Sequence, residues 1–444
     1  MAPTSESTAP YRAHRELFLE TLADLSAAAV IPTAALQHRN ADTEHRFRPG
    51  SDFWYLTGFD EPGAVLVLLP PTDERAQSES VLFLQERDPA AETWTGRRLG
   101  VEAAPAALGV DRALPIGALW DTLPELLEGA HGVCWRTGAD VDADRKLNAV
   151  LDRLRARVRS AAVQPTVLLD PGPALHEQRL FKSPGEVELM RRAAEVTTAA
   201  HQAVMAAAQP GVWEYEIDAT LEALFRGRGG TGAAYVNIVA GGENACVLHY
   251  VTNNCRLEDG ELLLIDAGCE WDYYASDVTR TFPVNGKFSD AQRELYEVVL
   301  QANTEAVEVC VEGSTVQAVH ERATAVLCAG LVRLGLLEGT AEEAAESRSF
   351  ARFYPHGTSH WLGLDVHDCG GYMRDGVPRT LHAGMVLTVE PGLYIGADDE
   401  TVDARWRGIG IRIEDDVLIV PGGQEVLTSG IPKTLDAVEA ACGR

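Results

Sequence analysis

A chain of 444 residues, 46% hydrophobic and 23% charged, has the composition of a folded protein of two or three domains, which excludes a disordered or collagen-like chain. Its 38 Lys+Arg against 66 Asp+Glu leave a formal net charge of -28, a surface that repels nucleic acid and anionic membranes, so neither is an expected partner. No apolar run approaches the roughly 18–20 residues of a membrane span, and the opening MAPTSESTAPYR lacks the basic and apolar regions of a secretory signal, so a cytoplasmic protein is expected.

In chain order, residues 11–28 read as a helix. Short apolar runs at Ala64–Leu69, Val81–Gln85 and Gly132–Arg136, separated by Pro- and Gly-rich turns, read as strands. Asp142 to Val158 reads as an amphipathic helix with Leu147, Leu151, Leu154 and Val158 on one face. The Pro-rich stretch Pro165 to Pro173 breaks the pattern. A boundary there gives a smaller amino-terminal α/β domain over residues 1–172, without an evident catalytic cluster, and a second domain over 173–444. The eight cysteines include no CxxC pair and form no disulfide scaffold; Cys134, Cys246, Cys269, Cys310, Cys328 and Cys369 read as mostly buried, reduced thiols.

The second domain opens on Ser183-Pro184-Gly185-Glu186, an N-cap, a Pro at the first helical position and a capping-box Glu, which predicts a helix to about Ala208. A further helix is predicted from Ser289 to about Glu308. Around it lies an internal echo. Glu261-Leu-Leu-Leu-Ile-Asp266-Ala-Gly268 resembles Met385-Val-Leu-Thr-Val-Glu390-Pro-Gly392, and each is followed by a second acidic strand, near Asp277 and near Glu414. Two related halves would each donate a pair of carboxylates to one centre.

Asp266 and Asp277 are eleven positions apart. With Trp271 and Asp272 at the middle of a hairpin turn they lie directly opposite, with Cβ atoms about 4.5–5.5 Å apart. Two bare carboxylates that close repel, and a divalent cation removes the conflict. Glu390 ends an apolar strand, and in Gly408–Val420 the isoleucines 409, 411 and 413 alternate with Gly410, Arg412 and Glu414, so Arg412 and Glu414 share a face. Acids at the ends of apolar strands are costly unless paired. The segment from Phe353 to Asp368 adds His356, His360 and His367. A lone histidine is more often a packed core residue than a ligand, and the Glu of a zincin HExxH is missing between His356 and His360. Four carboxylates with His360 make a hard, oxygen-rich site that suits Mn2+, Co2+ or Fe2+ better than a structural Zn2+.

From Leu262 to Glu414 the chain resembles the pita-bread metallopeptidases of family M24, which include methionine aminopeptidase, prolidase and aminopeptidase P. The wording HGTSHWLGLDVHD, TVEPGLY and GIGIRIEDD is most similar to bacterial aminopeptidase P, as are Ser51-Asp-Phe-Trp-Tyr-Leu-Thr-Gly-Phe59 and Thr93-Trp-Thr-Gly-Arg-Arg-Leu-Gly100. The resemblance implies an α/β amino-terminal domain, a pita-bread catalytic domain, and hydrolysis of the amino-terminal Xaa-Pro bond of peptides with proline second. It implies the ligand set Asp266, Asp277, His360, Glu390 and Glu414 for two divalent ions, Mn2+ first and Co2+, Fe2+ or Zn2+ after it. A metal-bridging hydroxide would attack the scissile carbonyl and Glu390 would shuttle the proton. His249 and His367 would stabilise the intermediate, His356 would line the proline pocket and Arg412 would bond a ligand carboxylate. Tyr235 and Tyr394 match tyrosines near the site. Trp94 and Asp42 match residues that line the substrate entrance in tetrameric relatives, Trp94 from a neighbouring subunit, so a homo-oligomer, tetramer or dimer, is implied. An arginine expected soon after His367 matches either Arg374 or Arg379. Prolidase, which takes dipeptides only, shares the five ligands and is the nearest alternative; a non-catalytic peptide-binding pita-bread module is the alternative from another class.

Overall fold

Six strands form the sheet of the first unit, in the order Arg112–Pro115, Glu79–Leu84, Val65–Leu69, Ala27–Pro32, Gly132–Cys134, Val167–Leu169. Ala27–Pro32 runs antiparallel to Val65–Leu69 and parallel to Gly132–Cys134. The central strands AAAVIP and VLVLL are almost wholly buried, the continuous apolar pattern of a sheet covered on both faces. One face packs Val30, Val67 and Phe83 against Leu147, Leu151 and Leu154 of the helix Val141–Arg155, whose start is capped by Asp140. The computed structural model describes residues 8–73, 75–157 and 164–443, so Val158 of the predicted helix lies outside the described residues. The chain divides into compact units at Gln178/Arg179.

The helix expected over 11–28 is Ala9–Asp24 instead. It stops at a turn in which Ser26 has φ 50°, and Ala27–Ala29 then enter the sheet. Alanine favours helix in isolation, but burial at the middle of a sheet outweighs that preference. The eight cysteines are free thiols; Cys246 and Cys369 are only partly buried, whereas Cys134, Cys269, Cys310 and Cys328 are buried.

In the second unit Ser183 and Glu186 form the reciprocal capping box that starts the helix Pro184–Ala207, and Ser289 and Gln292 do the same for Asp290–Val309. Among the helices lie two hairpins of one design. In the first, β1 (Leu262–Asp266) pairs with β4 (Thr279–Pro283), while β2 (Cys269–Trp271) pairs with β3 (Tyr274–Ala275). In the second, β5 (Val386–Val389) pairs with β8 (Asp415–Val420), while β6 (Gly392–Ile395) pairs with β7 (Ile409–Arg412). Each is a long antiparallel hairpin broken at the same place. The acids sit at the breaks: Asp266 and Asp277 in one, Glu390 and Glu414 in the other. The echo in the sequence is thus an echo in topology.

The register of the first hairpin differs from expectation. Its turn centres on Asp272 and Tyr273, with φ 46° and 68°, the two left-handed residues of a type I′ turn. Asp266 therefore lies opposite Thr279, and Asp277 sits one diagonal step away. A shift of two keeps side-chain parity, so both aspartates still face one side. The close approach of the arms requires glycine: a Cβ on Gly268 would lie 1.7 Å from the Ser276 carbonyl oxygen, and one on Gly392 would lie 2.9 Å from that of Ile411. Among the described residues no helix is long and apolar enough to cross a membrane.

Candidate metal centre

The breaks in the two hairpins open on one cleft of about 450 Å3, with Asp266, Asp277, Glu390, Glu414 and His360 among its lining. His360 arrives from a third segment. Its backbone N–H donates to Thr388 Oγ1 at 3.1 Å and its carbonyl accepts from Thr388 N at 3.0 Å, which lays it alongside β5, two residues before Glu390. Ligand atoms of Asp277, His360 and Glu414 all lie within 4.8 Å of one another.

Electrostatically this cluster needs positive charge. Burial raises the Asp266 carboxyl in spite of Arg412, and lifts Glu390 to about 7 against the pull of His360 and Arg412. Glu414 rises well above the usual range through burial and then through Asp277, Glu390 and Asp266. The Tyr235 hydroxyl, held protonated by burial and its acidic neighbours, lies 2.6 Å from Asp266 Oδ1 and 2.5 Å from Asp277 Oδ1. One hydroxyl hydrogen cannot serve two carboxylates.

The histidine fits the same requirement. His360 Nδ1 bonds the Trp361 carbonyl at 3.0 Å, so it carries a hydrogen, and Nε2 faces Asp277 Oδ2 at 3.3 Å and Glu390 Oε1 at 3.5 Å. Burial works against a charged imidazole here, yet the two carboxylates outweigh it and lift the ring to about 9. A cation between Nε2 and those oxygens relieves the same strain. Hard oxygen donors with one imidazole are the ligands of Mn2+, Fe2+ or Co2+, so the residues present fit divalent metal.

A polar frame holds the cluster. Arg412 donates to Asp266 Oδ2 at 2.6 Å, to Thr279 Oγ1 at 2.8 Å and to the Tyr394 hydroxyl at 3.0 Å, while Thr279 Oγ1 donates to Glu414 Oε2 at 2.6 Å. Arg412 and Glu414 thus meet on one face through Thr279. His356 lies at the cleft wall, with Nδ1 2.7 Å from the Gly357 carbonyl and Nε2 2.8 Å from the Tyr394 hydroxyl. Burial, with Arg412 adding to it, lowers its pKa to about 4, so it is neutral, carries its hydrogen on Nδ1 and accepts from Tyr394. Both ring nitrogens are occupied.

His249 and His367 line the cleft and are exposed. The His367 ring stands edge-on to His360, centroids 4.4 Å apart, and burial followed by repulsion from His360 lowers its pKa. The next residue, Asp368, is buried between Arg179 at 2.6 Å and Lys182 at 3.0 Å, which anchors the loop. Asp42 and Trp94 belong to the first unit. Asp42 is exposed in the turn between His38–Asn40 and Thr43–Glu44, and Trp94 is 89% exposed on the helix Pro89–Thr95. Arg379 is buried and donates to the Gly371 carbonyl at 2.7 Å, whereas Arg374 is exposed in the strand Met373–Arg374.

Sequence reasoning passed over Thr279, Asp416 and Asn303. Asp416 accepts from Ser276 Oγ at 2.8 Å and from the Asp277 backbone N–H at 3.1 Å, tying the two hairpins together beside the centre. Its position directly after Glu414-Asp415 was a signal; Thr279 and Asn303 carry none outside the fold.

The chain resembles known proteins over nearly its whole length. The model for metallopeptidase family M24 matches residues 188–421, and that for the aminopeptidase P N-terminal domain matches residues 11–135. The chain is 45% identical over 430 residues to the Xaa-Pro aminopeptidase of Escherichia coli (strain K12), covering 97% of this chain and 96% of that one. It is similar to the structure of Pseudomonas aeruginosa aminopeptidase PepP, with TM-score 0.95, 46% identity and coverage of 100% of this chain and 99% of that one. Zn-substituted E. coli aminopeptidase P in complex with product matches with TM-score 0.94 and 44% identity, over 98% of each chain.

Proposed function

We propose, from the premise that the chain belongs to metallopeptidase family M24 and is an Xaa-Pro aminopeptidase, that two Mn2+ ions occupy the cleft floor and that peptides with proline second are its substrates. The observation that carries this reading is the convergence of four carboxylates and His360 at the breaks of two matching hairpins, too much negative charge to bury without cations. Asp266 would hold one ion, His360 and Glu390 the other, and Asp277 with Glu414 would reach both. When bound, such a pair supplies a nucleophilic hydroxide at neutral pH by lowering the pKa of water.

The chain's own residues do the rest. Arg412 and Tyr235 hold Asp266 and Asp277 in place through their hydrogen bonds. Glu390 stands beside His360 on the cleft floor, where its carboxylate can take a proton from the nucleophile and deliver it to the departing proline nitrogen. His249 and His367 line the cleft, where a ring N–H of each can donate to the oxyanion as charge develops. Neutral His356, fixed by Tyr394 and Gly357, offers a flat wall for the proline ring. We further propose a cytoplasmic homo-oligomer, tetramer or dimer, in which exposed Trp94 and Asp42 line the substrate entrance, Trp94 serving a neighbouring copy.

Metal removal tests this reading. Chelation is expected to abolish hydrolysis of an Xaa-Pro-Yaa peptide, and Mn2+ to restore it better than Co2+, Fe2+ or Zn2+. Full turnover by metal-free protein contradicts it.

A further inference from the structure

We propose that Asn303 is a positioning residue that sets the spacing of Glu390 and Glu414 and thereby the affinity of the metal pair; this rests on the two-metal reading above. The helix Asp290–Val309 buries a stripe that includes Leu295, Tyr296, Val299, Ala302 and Ala306, and Asn303 is the polar side chain set among them, at 0% exposure. Its Nδ2 donates to the Val389 carbonyl at 3.0 Å and to the Ile413 carbonyl at 3.3 Å. Those residues immediately precede Glu390 and Glu414. They lie on opposite arms of the second hairpin, at the break where β5–β8 pairing ends at Val389↔Asp415 and β6–β7 pairing has yet to begin at Gly392↔Arg412. Within this break the Ile413 N–H donates to the Pro391 carbonyl at 3.3 Å, and the amide adds a second tie between the two arms.

The amide is itself oriented. Lys433 Nζ donates to Asn303 Oδ1 at 2.8 Å, which turns the NH2 group toward the carbonyls. Lys433 also donates to Asp415 Oδ2 at 2.6 Å; Asp415 Oδ1 accepts from Arg280 Nη2 at 2.7 Å, and Arg280 Nη1 reaches the Glu414 carbonyl at 2.5 Å. Helix, lysine and arginine thus act on the backbone of the two glutamates from behind, without touching substrate. Outer partners of metal ligands of this kind are worth about 10–100-fold in metal affinity.

Calorimetric titration of Mn2+ alone into metal-free full-length chain tests the assignment. Asn303→Ala leaves a polar hole that a water molecule can fill, and Lys433→Met, at the partly exposed end of the array, is the second variant should the first not fold. The weaker Mn2+ affinity is expected to fall about 10–100-fold in Asn303→Ala and in the same direction in Lys433→Met. In Mn2+-loaded protein kcat should fall while the peptide KM stays near that of the parent. Folded variants that bind both ions as tightly as the parent, with only a lower melting temperature, would make Asn303 a packing residue and overturn the proposal. A parent chain that takes up no Mn2+ would overturn the metal reading itself, and is told apart by that control.

Discussion

His249 and His367 are where catalysis can be separated from metal binding. Both line the cleft, both are exposed, and neither is among the five residues proposed to hold metal. Because they are exposed, replacing either by alanine is expected to leave melting temperature and bound metal near the parent values. If they steady the oxyanion, turnover should fall about 10²–10³-fold, roughly 2.7–4 kcal/mol. The loss should appear in kcat as well as kcat/KM, since the contact strengthens as charge develops. Normal kcat in folded His249→Ala or His367→Ala removes that residue from the mechanism. At this scale the charged residues were readable because acids at strand ends and clustered histidines are conspicuous in an apolar context. Thr279 and Asn303 were not. Each is an uncharged polar residue whose partners, Arg412, Glu414 and the Val389 and Ile413 carbonyls, lie more than eighty positions away and meet it only in the folded chain.

Among the elements, the hairpins carry the argument. Their strands were legible from apolar runs ending in acids, and so was their kinship, Asp266-Ala-Gly268 matching Glu390-Pro-Gly392. The break in each hairpin was not legible, since strand patterning gives period and face but not where a ladder is interrupted. Nor was the turn centre, because Asp-Tyr is an unusual pair for two left-handed positions, φ 46° and 68°. The helix expected over 11–28 overran into the sheet for a related reason: its last alanines favour helix locally, and only burial among the neighbouring strands overrides that preference. Gly268 is the element-level test. A Cβ there would meet the Ser276 backbone oxygen at 1.7 Å, so the arms must part. Gly268→Ala is expected to destabilise metal-free protein by more than the about 1–3 kcal/mol of ordinary overpacking, measured as a drop in denaturant midpoint. An unchanged midpoint would show that the hairpin closes without glycine.

At the scale of the whole molecule, length anticipated two or three domains and the order of strands and helices an α/β amino-terminal one, and the structure holds an α/β sheet unit and a helix-and-hairpin unit. The acid-rich composition, net -28, argued against nucleic acid and anionic membranes as partners, and it carried little information about the site. The carboxylates that matter are the few that the fold gathers at one cleft, Asp277 and Glu414 buried, Asp266 and Glu390 partly so. The central claim is that these clustered acids, loaded with metal, cut the bond before a proline in the second position. The direct measurement is chromatographic separation of products after Mn2+-reconstituted chain is incubated with Xaa-Pro-Yaa, Xaa-Ala-Yaa and Xaa-Pro peptides. Release of the first residue and of Pro-Yaa from the first peptide, with far slower cleavage of the alanine peptide and of the dipeptide, is the expected result. Cleavage of the dipeptide alone would make the enzyme a prolidase, and no cleavage of any peptide by folded, metal-loaded chain would contradict the account.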